Sequence, residues 1–103
     1  MPLMPSYQYF TQTLGRSFLL QVEPGQALEI ELQQVESRVP MSARFECFAL
    51  LFLLPAGQAL PQALYPLSGP EGDTWELLLT PVRADGEGRA CLEAVFHREK
   101  AQA

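Results

Sequence analysis

The sequence predicts an all-β domain: a small antiparallel β-sandwich or partly open barrel with one short N-terminal helix. Three observations predict it. From Ser17 to Phe96 the apolar residues recur mostly every second position rather than every third or fourth. Turn-forming dipeptides interrupt that alternation at regular intervals, among them Pro24-Gly25 and Asp85-Gly86. With 103 residues, 48% of them hydrophobic, the chain is expected to be a single domain over 1–103 with a core of its own. Residues 1–5 and 99–103 are expected to fray.

The first element is read from "SYQYFTQTLG". Ser6 can cap a helix, Tyr7, Phe10 and Leu14 share a face, and Gly15 supplies a left-handed stop. "SFLLQVE" is a strand ending at Pro24-Gly25. "ALEIELQQVES" places Leu28, Ile30 and Leu32 on one face and Glu29 and Glu31 on the other. Val35 falls out of phase with Leu32, which a β-bulge at Gln33-Gln34 corrects.

"RFECFALLFLL" is apolar on both faces. Phe45, Cys47, Ala49, Leu51 and Leu53 form one, and Phe48, Leu50, Phe52 and Leu54 the other. A strand of this kind must be covered twice, by the N-terminal helix or by another subunit. Pro55 ends it, because proline has no N–H for a ladder. "PAGQALPQ" is a connection. "ALYPLS" is a short extended segment in which Pro66 holds Tyr65 out of the helical region. "TWELLLTPV" and "ACLEAVFHR" are expected to pair as a hairpin through residues 83–89.

Charge excludes some functions. The net charge is −5, and the seven basic residues are scattered singly. Nucleic acid and anionic membranes require clustered cations, so neither is an expected partner. Residues 47–70 carry no charge, but four prolines and two glutamines rule out a membrane-spanning helix there. The N-terminus lacks the pattern of a signal peptide. A reducing, cytoplasmic setting is expected, with Cys47 and Cys91 as free, buried thiols. One lysine, one isoleucine and no asparagine, beside abundant alanine, leucine and arginine, fit a GC-rich bacterial genome.

Few of the chain's residues are spaced to carry chemistry. Cys91 and His97 lie on one strand face roughly 20 Å apart, so only Cys47 can meet His97, across strands. Glu29 and Glu31 stand about 6.6 Å apart, yet a solvated strand face accounts for them. The calcium-like "DGEG" lacks the later acids and flanking helices of an EF-hand and reads as a hairpin turn. Two cysteines and one histidine do not make a zinc site. No metal, cofactor or enzymatic activity is expected. Glu93 and Arg98 are each placed to form a cross-strand ion pair.

The order of an aromatic strand ending in proline, an "LPQ..Y.L" segment, an "LLLTPV" strand and "LEAVFHR" resembles an uncharacterised family of small bacterial β domains. The likeness rests on Phe52, Pro55, Leu60, Pro61, Gln62, Tyr65, Leu67, Leu77, Leu79, Pro81, Val82, Glu93, Ala94, Val95, Phe96 and Arg98. Ala63 departs from the family's glycine, Ser68 and Gly69 from its histidine, and Leu92 from its tyrosine. The resemblance implies a fold and a phage-tail or tail-collar-like assembly setting, with no reaction attached.

Two functions follow as expectations. The first is a non-enzymatic interaction or assembly module, a homo-oligomer or the companion of another protein. It would use an apolar face of Phe52, Leu51 and Leu53 with Leu60, Leu64 and Trp75. The alternative is a small-ligand-binding barrel with an apolar pocket near Tyr65 and Trp75. Gln62 and Tyr65 either satisfy the backbone of the connection or supply a polar contact inside that patch.

Overall fold

The structure, a computed structural model, describes residues 7–38, 45–82 and 88–99. A short helix α1 (Tyr7–Gln12) is followed by β1 (Ser17–Glu23), β2 (Gln26–Arg38), β3 (Phe45–Leu53), β4 (Ala63–Ser68), β5 (Thr74–Val82) and β6 (Cys91–Glu99). The strands close into an antiparallel barrel in the order β1-β2-β3-β6-β5-β4. The ring is a barrel and not a sandwich, because β1, which would otherwise be a free edge, pairs with β4.

The ladders are uneven. Nine register pairs join β3 to β6, from Phe45↔Glu99 to Leu53↔Cys91. Glu99 is thus part of a strand and not a frayed end. The β1–β4 seam holds only Leu19↔Ser68 and Leu20↔Leu67 and stops beside Pro66, which has no N–H to extend it. Among the described residues the β5–β6 seam holds three pairs, Thr80↔Glu93, Pro81↔Leu92 and Val82↔Cys91. Among the described residues the barrel is thus a closed ring in which β4-β5 form a two-stranded flap, joined to the β1-β2-β3-β6 sheet by its two shortest ladders. The expected β5–β6 pairing is present, and its turn at 83–87 lies outside the described residues. The bulge expected near Gln33 appears as a register shift between Leu32 and Gln34, and Val35 packs against the core.

Strand alternation fills the interior. Phe18, Leu20, Ile30, Leu32, Phe48, Leu50, Phe52, Leu67, Leu79 and Leu92 are all buried. A barrel of this size has an interior only wide enough for side chains. Phe48 and Phe96, register partners on β3 and β6, stack with centroids 4.7 Å apart and planes 9° from parallel.

Helix α1 covers the place where β5 and β6 lose contact. Tyr9 meets Trp75 of β5 edge-on at 5.7 Å, and Phe10 meets Phe96 of β6 at 5.7 Å. Phe10 is fully buried and also touches Phe18 and Phe48. Burying a phenylalanine stabilises by about 1.5–3 kcal/mol, which a six-residue helix with no stability of its own requires.

Leu14 differs from expectation: it is 50% exposed. The helix ends at Gln12, and Thr13 then turns the chain, its hydroxyl donating to the carbonyls of Tyr9 and Phe10. Gly15, at φ +86°, supplies the left-handed stop, and its N–H donates to the Leu32 carbonyl on β2. The Ser6 cap lies outside the described residues. So α1 plugs the barrel's end and does not lie on the outer face of β3.

Candidate functional site

The six residues picked out by sequence do not form one patch. Phe52, Tyr65 and Trp75 point into the barrel, at 0%, 7% and 6% exposure, and belong to the core. The Tyr65 hydroxyl donates to the Pro61 carbonyl at 2.6 Å, so it ties the β3–β4 connection to the barrel wall. Gln62 is exposed, and its amide oxygen accepts a long hydrogen bond, 3.4 Å, from the Thr80 hydroxyl. The Trp75 ring, near which a ligand pocket is expected, packs edge-on against Tyr9.

Leu51 and Leu53 lie on the outer face of β3. That face is covered within the monomer to a degree the sequence did not reveal: Ala49 and Leu53 retain only 4% and 5% exposure. Arg38 provides part of the cover. It reaches from β2 diagonally across β3, donating from Nε to Glu36 at 2.9 Å and from a terminal nitrogen to Glu93 on β6 at 3.0 Å. Glu36, the nearer carboxylate partner, does most to hold the guanidinium above its ordinary pKa. Because all three side chains remain partly in water, the bracket contributes little to stability. Glu93 thus forms the expected cross-strand ion pair.

Two grooves flank this bracket. One, of about 70 Å³, is lined by Gln34, Glu36, Arg38, Ala49, Leu51 and Glu93. The other, of about 300 Å³, is lined by Ser17, Glu29, Glu31, Leu53, Pro55 and Arg89. Leu51 and Leu53 are successive residues on one strand face, so the two grooves form one line along β3. At its far end Arg89 donates from Nε to the Leu54 carbonyl at 2.9 Å.

A second outer surface is apolar. Leu64 on β4 and Leu78 on β5 are register partners, 61% and 51% exposed. The other outward positions of these two strands are Pro66, Ser68, Thr74, Glu76, Thr80 and Val82, so Glu76 is the one charge among them. In the six-membered strand order β4 stands opposite β3.

Cys91 is buried and Cys47 only partly so, and neither is in a disulfide. Cys47 on the outer face of β3 is less enclosed than the apolar strand pattern implied. Cys47 and His97 are register partners, though the His97 side chain lies outside the described residues. Among the described residues no group of three or more His, Cys, Asp or Glu stands together as a metal site, and no helix is long and apolar enough to cross a membrane.

A family model described as a domain of unknown function (DUF6916) matches residues 5–96. The chain belongs to the DUF6916 family. No curated protein and no solved structure matches it. The match runs from before α1 to Phe96, so it takes in α1, β1 to β5 and β6 as far as Phe96. Arg38 and Tyr9, the residues that organise the outer face and the plug, were missed by sequence reasoning. Each reaches a partner far away in sequence, Arg38 to Glu93 and Tyr9 to Trp75, and no local spacing signals it.

Proposed function

We propose that this DUF6916 domain is a non-enzymatic interaction module that self-associates through the outer face of its β4–β5 flap. The carrying observation is the Leu64–Leu78 pair: two large apolar side chains, directly opposed in register and more than half exposed. Two copies meeting on this face would bring together leucines and prolines with one carboxylate each. A molecule of net charge −5 tolerates that face against itself better than the acidic side of the barrel. The phage-tail-like assembly setting implied by the resemblance, a bacterial source and a reducing cytoplasm with two free thiols are compatible with such a module. The ligand-binding alternative draws no support from Tyr65 and Trp75, whose rings are spent on the core.

Sedimentation velocity over a range of concentrations tests the reading. The wild type is expected to associate, and Leu64→Glu and Leu78→Glu to remain folded monomers. A wild type that stays monomeric throughout would refute self-association.

A further inference from the structure

We infer that the outer face of β3 is a second docking surface, one that takes an extended segment of a basic protein partner. Its floor is a line of small and apolar residues, of which Leu51 is partly exposed while Ala49 and Leu53 lie nearly covered beneath the trench. From Ala49 to Leu53 it runs about 13 Å, the length of four to five residues of extended chain.

The walls carry charge. On the β2 side stand Glu29, Glu31 and Glu36, and Glu93 stands on β6. Against these four carboxylates the grooves hold two guanidinium groups, Arg38 and Arg89. Glu29 and Glu31 are alternate residues of one strand, about 6.6 Å apart. Cationic side chains at alternate positions of an extended partner have that same repeat. A strand-like segment with lysine or arginine at every second residue therefore presents its cations at the repeat of the wall's carboxylates. A second copy of this chain does not, since it would face carboxylates with carboxylates. The surface deepens the interaction-module reading, but lies opposite the β4–β5 flap and does not depend on it.

Arg38 has a defined part in this. Its guanidinium lies over the trench and occupies Glu93 at 3.0 Å, where a partner's cation would bind. It holds the place of the ligand's charge within the free protein. Removing it should strengthen binding of a basic segment, whereas a residue that merely supported the fold would weaken binding when removed.

The test uses the full chain, ¹⁵N-labelled, titrated with a blocked Lys-Val-Lys-Val-Lys peptide. The controls are the Glu-Val-Glu-Val-Glu peptide and spermine. The basic peptide is expected to shift the amides of Ala49, Leu51, Leu53 and Glu31, and to bind less tightly as salt is raised. Glu31→Gln and Glu93→Gln should each weaken it about fivefold, and Arg38→Ala should tighten it by a similar factor. Leu64→Glu should leave it unchanged, which separates failure of this surface from failure of the self-association face. Equal shifts with spermine or with the acidic peptide would overturn the inference. So would affinity indifferent to Glu31→Gln and Glu93→Gln, or Arg38→Ala weakening the basic peptide.

Discussion

A β-carbon on Gly69 would stand 2.6 Å from the Tyr9 hydroxyl and 2.8 Å from the Trp75 ring. Glycine is required here for space: the plug's tyrosine and the flap's tryptophan close over the β4–β5 turn. Gly69→Ala is expected to cost about 1–3 kcal/mol by overpacking, read from the urea midpoint. Adding Tyr9→Phe should restore part of that by removing the hydroxyl. Tyr9 also makes the plug sensitive to alkali. Burial raises its pKa above the usual value near 10, and the nearby charges of Glu71 and Asp73 raise it further. The folded state thus favours the protonated phenol. Its contribution to stability is complete below about pH 10 and is lost as pH climbs through the raised value. Urea midpoints from about pH 9 to about pH 11 should fall less steeply in Tyr9→Phe than in the wild type.

At the scale of elements, α1 earns its place through one side chain. Phe10→Ala is expected to cost about 3–5 kcal/mol, while Leu14→Ala, half exposed beyond the helix end, should stay within about 0.5 kcal/mol. Equal losses from the two would contradict the plug. The elements themselves were legible in the sequence because their signals are local: β4 and β5 begin and end where alternation and proline place them, and the Leu32–Gln34 bulge follows from Val35 being out of phase. Direction was harder to read. Trp75 shares parity with Leu77 and Leu79, which face inward, and that parity could have placed it in the core. The double covering of β3 was also legible, but its agent was not. Arg38 and Glu93 are 55 residues apart, and only the closed ladder brings them together.

At the scale of the molecule, unequal ladders predict unequal opening. Amides in the nine-pair β3–β6 ladder should exchange with solvent most slowly, and those of Leu20 and Leu67 at the two-pair β1–β4 seam much faster. Uniform protection around the ring would show that the flap is not a separate unit. Closure was the part of the fold least legible in the sequence, since a seam of two pairs leaves no periodic trace in either strand.

The flap also sits between β3 and β6 in the chain, so the longest ladder joins strands that are distant in sequence. Leu53 and Cys91 are register partners with residues 54–90 between them. Bringing such ends together costs conformational entropy that grows by about 0.6 kcal/mol for each doubling of the loop. A preformed β4–β5 hairpin shortens the loop that must close. Folding should then be paced by the flap, although the flap adds the least to ring closure afterwards. A disruptive change within it, such as Leu79→Ala, should slow refolding more than it speeds unfolding, whereas changes at the β1–β4 seam should act mainly on unfolding.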